Sequence, residues 1–155
     1  MTLSSDLRAL YQDVILDHTK RPRNFRRLED ADRHAQGMNP LCGDRVEVFI
    51  KMNGDVIEEV TFTGAGCSIS TASASLMTQV LKGKTIAEAK ELFERFHDLV
   101  TGKAKDPEFQ KKLGKLLVFS GVCEYPVRVK CATLPWHTLK AALENASVDK
   151  PVTTE

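Results

Sequence analysis

The chain has 155 residues, with 22 Lys and Arg against 21 Asp and Glu and a formal net charge of +1. That length suits one domain with a sizeable core, and a balance so close, with the signs interspersed, gives no electrostatic grounds for wrapping a nucleic acid or lying on an anionic membrane. No apolar run approaches the ~20 residues of a membrane span, and the start MTLSSDLRAL lacks a secretory profile, so a cytoplasmic location is expected.

Leu7, Leu10, Tyr11, Val14 and Ile15 recur at helical spacing and predict a helix over residues 6–16, with Ser4 or Ser5 as its cap. Pro22 stops it inside the run KRPRNFRR, five basic residues around Asn24 and Phe25, which reads as a solvated loop or as a docking patch for an acidic partner. Residues 45–52 set Val46, Val48 and Ile50 on one face, and residues 56–63 offer Ile57, Val60 and Phe62. Asn53-Gly54 between them signals a type I′ turn, hence an antiparallel hairpin.

Beyond the hairpin, small residues (SISTASAS) lead into Leu76, Met77, Val80 and Leu81, predicting a helix that starts at or near Cys67 and closes at Gly83. The next helix has Thr85 as N-cap, Glu88 completing a capping box, and Ile86, Ala89, Leu92, Phe93 and Phe96 along its apolar side. Residues 102–115 are polar and carry a short amphipathic helix through Phe109 and Leu113, while the apolar run 116–122 is too short to assign. Val127, Cys131, Leu134, Leu139 and Leu143 fall at roughly helical intervals, with Pro135 bending or interrupting the helix. Trp136 and Phe119 are expected in the core. Residues 1–146 form one domain, and 147–155 a flexible polar tail.

In a reducing compartment the four cysteines, Cys42, Cys67, Cys123 and Cys131, point to metal or thiol chemistry before disulfides. Antiparallel pairing brings Cys42 and Asp44, at the mouth of the first strand, next to Cys67, just past the end of the second. Gly43 lets the backbone turn and aim both ligands inward. Thiolate and carboxylate donors suit zinc, but without a CxxC or HxxxH pair the spacing permits a site and does not insist on one. The alternative is a tight strand-to-helix turn with Cys67 as a buried cap. At a helix N-terminus Cys67 is expected to have a lowered pKa, and Gly64 and Gly66 to leave room for a turn and for an approaching partner.

LYQDVILDHTKRPRNF, NPLCGD, GAGCSIS-ASAS and RVKCATLPWHTL together resemble the U-type iron-sulfur assembly proteins, the family of IscU, the N-terminal part of NifU, and SufU. The resemblance covers nearly the whole chain. It leans to the SufU branch, because residues 102–121 resemble that branch's insertion, Lys130 stands where IscU has a histidine, and the LPPVK chaperone motif of IscU is absent. It implies an α+β fold of the SufE/NifU-like kind, a small antiparallel sheet of about three strands packed against helices. It implies a Zn2+ site of Cys42, Asp44, Cys67 and Cys131, and sulfur supplied by a SufS-type cysteine desulfurase whose histidine displaces Cys42 and frees it to accept persulfide.

Cys131 is the alternative acceptor, and Arg128, three residues earlier, is assigned to pairing with Asp44 once the site rearranges or to docking the desulfurase. Cys123 matches no ligand of the family and is expected as a small core residue or a spare thiol. His18, His34, His97 and His137 are read as structural or surface residues, with His34 able to approach the site if its loop folds back.

The leading reading is a zinc-dependent sulfurtransferase serving downstream iron-sulfur assembly proteins, a monomer or weak homo-oligomer. The second is a scaffold on which Cys42, Cys67 and Cys131 hold iron or a transient [2Fe-2S] cluster, kept labile by Asp44. The third is an inert structural zinc module that docks to other proteins.

Overall fold

A two-residue period in the chain decides where the sheet forms and which side it buries. Val46, Val48 and Ile50 on one strand and Val60 and Phe62 on the next follow that period and are buried, and Ile57 joins them across the register shift between Lys51 and Met52. The computed structural model describes residues 5–40, 43–103, 111–144 and 152–153. In chain order it contains α1 (Ser5–Lys20), β1 (Arg33–Asn39), β2 (Asp44–Asn53), β3 (Val56–Ala65), α2 (Ser68–Leu81), α3 (Ile86–Val100), the 3-10 helix η1 (Gly114–Glu124), α4 (Pro126–Leu143) and β4 (Val152–Thr153). The sheet order is β3-β2-β1-β4, antiparallel through the first three strands, with β4 parallel to β1. Helix α4 lies against β1 and β2, α2 against β3, and α1 packs on α2. This is the expected α+β architecture.

Several local expectations shift. Strand β1, whose alternation is broken by Gly37, goes unmarked in the sequence reading, although Ala35, Gly37 and Asn39 all point inward. The hairpin turn is Gly54-Asp55 rather than Asn53-Gly54, since Asn53 already pairs with Val56. Gly54 takes φ +64 and Asp55 does not follow it into positive φ, the type II′ pattern, reached through a bulge between Lys51 and Met52. Leu10 and Val127, both placed on apolar stripes, are exposed.

The unassigned run 116–122 lies within η1 and sends Leu116, Phe119 and Val122 into the core. Of the segment 147–155, Val152 and Thr153 pair with Gly37 and Met38. Ser4 and Phe109 lie outside the described residues.

The helix signals hold where their chemistry is local. Thr85 Oγ1 accepts the Glu88 N–H at 3.1 Å and Glu88 Oε1 accepts the Thr85 N–H at 3.0 Å, the reciprocal capping box. Trp136 and Phe119 are fully buried as expected, with Phe96 between them: stacked on Trp136 at 4.9 Å and edge-on to Phe119 at 5.6 Å. Among the described residues no helix is long and apolar enough to cross a membrane.

A buried histidine ties the outer helix to the layer beneath it. His18, 5 % exposed near the end of α1, has Nδ1 2.7 Å from Ser75 Oγ on α2, and the same oxygen accepts the Arg23 N–H at 2.8 Å. Burial, then the charge of Arg23, lowers the His18 pKa below its ordinary 6.5, so the ring is neutral at pH 7 and able to accept the Ser75 hydrogen. Burial likewise lowers that of His137, with His97 and Lys140 adding to it. In acid the unfolded chain therefore takes up protons that the folded chain refuses. Stability in denaturant titrations should hold near neutral pH and fall as pH drops through and below about 6.5. His18→Asn should flatten part of that slope, and a wild-type profile level down to about pH 5 contradicts the assignment.

Candidate metal centre

Three segments distant in the chain meet at the open end of the hairpin. Asp44 opens β2 and pairs with Asn39. Gly43 before it takes φ +77, a region that favours glycine, and donates its N–H to the Asn39 carbonyl at 2.8 Å. Cys67 is the N-cap of α2, its Sγ accepting the Ser70 N–H at 3.4 Å. Cys131 is buried in the second turn of α4.

The small residues of SISTASAS explain why α4 reaches Cys67. Ser70, Ala72, Ser73, Ala74 and Ser75 are buried between neighbouring elements, and their short side chains let α1 and α4 come close to α2. Ser73 Oγ fixes the register by donating to the Ala132 carbonyl at 2.6 Å, one residue from Cys131. Pro135 interrupts neither packing nor helix, although it has no N–H to offer the Cys131 carbonyl one turn back.

Asp44, Cys67 and Cys131 each place one ligand atom within 4.8 Å of the other two. Cys42, the fourth expected ligand, lies outside the described residues. The Asp44 carboxylate is 1 % exposed. Its Oδ1 accepts the Cys67 N–H at 2.8 Å and its Oδ2 lies 3.4 Å from Cys67 Sγ. Among the described residues it has no ion-pair partner. A buried carboxylate facing two sulfurs without a cation is costly, and thiolate and carboxylate together are a donor set that fits zinc.

The same surroundings reverse the expectation for Cys67. Burial pushes its thiol above its ordinary value, and the charge and hydrogen bond of Asp44 push the same way, against the Ser70 N–H and Cys131, which pull it down. One amide at a helix N-terminus does not outweigh desolvation beside an anion. The room beside the glycines is also filled from within: a Cβ at Gly64 would meet the Arg45 carbonyl oxygen at 2.2 Å, and one at Gly66 the Asp44 Oδ1 at 2.7 Å.

The remaining candidates separate cleanly. His34 stands five residues back along β1 from Asn39, stacked on Phe49 at 6.1 Å, so it does not approach the site. His97 and His137 pack with Phe93 between α3 and α4. Cys123 is an exposed thiol, not a core residue. In the basic run, Arg23 pairs with Asp17, Arg26 with Glu59 and Arg27 with Glu47, which neutralises most of the patch internally.

Arg128 lies on the exposed side of the first turn of α4, its guanidinium 5.0 Å from the Tyr125 ring, and among the described residues it forms no ion pair with Asp44. It lines a groove walled by Tyr11 and Ile15 of α1, Ile69 of α2, Val118 of η1 and Tyr125. Leu16 and Tyr125, both exposed, border the same groove. The sequence reading did not mark this surface, and its one local trace is Leu16, an apolar residue outside the predicted stripe.

Comparison with known proteins gives a consistent picture. The model of the NifU-like N terminal domain matches residues 10–145. The chain is 44 % identical over 140 residues to the zinc-dependent sulfurtransferase SufU of Bacillus subtilis (strain 168), covering 90 % of this chain and 93 % of that one. It is 41 % identical over 143 residues to the iron-sulfur cluster assembly scaffold protein IscU of Streptococcus pyogenes serotype M1, covering 92 % and 88 %. Among solved structures it resembles an iron-sulfur cluster assembly scaffold protein for the SUF system from thermophilic Fervidobacterium islandicum AW-1, with a TM-score of 0.79, 37 % identity, and coverage of 90 % of this chain and 99 % of that one.

If these side chains form a metal centre, Cys67→Ser and Cys131→Ser should each weaken zinc retention by more than the roughly 10- to 100-fold that loss of an outer-shell partner costs. Cys123→Ser should bind zinc as the parent does. Competition with a chromophoric chelator reads both, and equal retention by all three variants would dissolve the assignment.

Proposed function

The chain belongs to the NifU-like N-terminal domain family, and from that premise we propose that it is a zinc-dependent sulfurtransferase of iron-sulfur cluster assembly, accepting persulfide sulfur from a cysteine desulfurase. The observation that carries the reading is the convergence of Asp44, Cys67 and Cys131 around one point, in a chain 44 % identical to a protein of that activity. An ion held there by Asp44, Cys67, Cys131 and Cys42 supplies deprotonation of its sulfur ligands at neutral pH.

The protein's own residues divide the work. Asp44 holds the Cys67 amide and keeps the β2 mouth against α2. Cys131 is buried and Cys67 half-buried, which makes Cys131 the less accessible acceptor of the two described and leaves Cys42 as the acceptor the family resemblance implies. In the transfer, the Cys42 thiolate attacks the outer sulfur of the donor persulfide. A new S–S bond forms on Cys42, the donor's S–S bond breaks, and its cysteine leaves as a thiolate with no net oxidation.

The partner fitting this role is a SufS-type desulfurase. Arg128 serves docking: it lines the groove that runs past Ser68 and Ile69, next to Cys67, and its guanidinium is spread on Tyr125 instead of turned toward Asp44. Lys130, which by the family resemblance stands where IscU has a histidine, leans the reading toward the SufU branch. The second reading, a scaffold receiving a [2Fe-2S] cluster as cargo on the same thiolates, is favoured by the similarity to proteins named as scaffolds. Anaerobic reconstitution separates the two: a stable, transferable cluster that takes the place of zinc on these thiolates supports the scaffold, whereas desulfurase stimulation by the zinc form alone supports transfer.

Mass spectrometry after incubation with cysteine and a desulfurase should find the zinc-loaded chain one sulfur atom heavier at Cys42, and Cys42→Ala folded but unmodified. A Cys42→Ala chain that activates the desulfurase as well as the parent defeats the transferase reading. Arg128→Ala should leave zinc content unchanged and raise the concentration needed for half-maximal desulfurase stimulation about 5- to 30-fold, equivalent to ~1–2 kcal/mol of an interface contact. An unshifted half-maximum removes Arg128 from the interface.

A further inference from the structure

Between β3 and α2 stands a glycine that its own backbone does not require. Gly66 is not among the residues with positive φ, so its conformation is open to an L-residue. What demands glycine there is a side chain. A Cβ at Gly66 would lie 2.7 Å from Oδ1, 3.0 Å from Cγ and 3.2 Å from Cβ of Asp44, closer than real Cβ atoms tolerate at the first of these.

We propose that Gly66 is a positioning residue for the metal centre: its bare Cα lets the Asp44 carboxylate lie against the Gly66–Cys67 peptide, committing Oδ1 to the Cys67 amide and presenting Oδ2 alone to the thiols. The proposal rests on the reading of Asp44, Cys67 and Cys131 as metal ligands. The geometry leaves the carboxylate little choice. Oδ1 is held at 2.8 Å by the Cys67 N–H, Oδ2 lies 3.4 Å from Cys67 Sγ, and the group is 1 % exposed, so it has no solvent to turn into. The stem of Asp44 is fixed in turn by β2, where it pairs with Asn39.

A methyl group at position 66 must therefore either rotate the carboxylate off the amide or push α2, with Cys67 as its cap, away from the β2 mouth. Both movements disturb a ligand without removing one. A carboxylate held in this way would offer one oxygen rather than a chelating pair, which suits the four donors zinc prefers.

The test is a double-mutant cycle on the full chain with zinc, or cobalt in its place, as the metal added, so that no sulfur donor or desulfurase enters. Affinity is measured by chelator competition for the parent, Gly66→Ala, Asp44→Ala and the double variant, and folding of each metal-free protein by circular dichroism. Gly66→Ala is expected to fold and to lose about 10- to 100-fold in zinc affinity, with shifted absorption bands when cobalt replaces zinc. Added to Asp44→Ala, it should change affinity less than about twofold, because the side chain it crowds is gone. Zinc affinity equal to the parent's in Gly66→Ala, or losses that multiply in the double variant, overturns the proposal. So does unfolding of Gly66→Ala in the Asp44→Ala background, which would make the glycine a requirement of the fold. Equal affinity of parent and Asp44→Ala would overturn the metal-centre reading itself, and this role with it.

Discussion

A single buried carboxylate organises the functional end of this protein. Asp44 begins the central strand, and one of its oxygens takes the amide of Cys67, the cap of the helix that follows the hairpin. That contact joins sheet to helix and spends one oxygen doing so. A carboxylate out of water is tolerated only when hydrogen bonds and a cation meet it. The amide is present in the fold itself, and the two sulfurs alongside make the place where a cation belongs. Burial, with the charge and hydrogen bond of Asp44, pushes the Cys67 thiol above its ordinary value, against the Ser70 N–H and Cys131.

Around this point the packing is graded from fixed to open. Cys131 is set deep by the Ser73 bond to the Ala132 carbonyl and by small residues that bring α2 and α4 together. Asp44 is fixed by strand pairing. Cys67 is half-buried at a helix end. The three described donors are thus held by different means, one by the core, one by strand pairing and one as a helix cap.

The outer layer sets a groove beside that centre. Helix α1 is tied down through His18 and Ser75, with Arg23 on the same hydroxyl, so the groove between α1, η1 and the start of α4 has a fixed wall beside the ligands. Leu16 and Tyr125 remain exposed along it. The basic run, by contrast, spends Arg23, Arg26 and Arg27 on acidic neighbours, so its charge mostly serves the fold.

What the sequence determined by itself are the features whose physics is local. The hairpin faces follow from a two-residue alternation, the capping box of α3 from Thr85 and Glu88 three residues apart, and the turn at Gly43 from a conformation that favours glycine. Motif order was enough to assign the family, because three cysteine segments in sequence survive without knowledge of their geometry. Tertiary structure alone decided the rest. It moved the hairpin turn by one residue through a bulge, recruited β1 despite its broken alternation, and ran α4 straight through Pro135. It placed Leu10 and Val127 in solvent, turned the expected acidity of Cys67 around, and filled the space beside Gly66 with a carboxylate from another segment. Each of those outcomes depends on what packs against a residue from far along the chain, and burial, desolvation and close approach have no signature within a few residues of sequence.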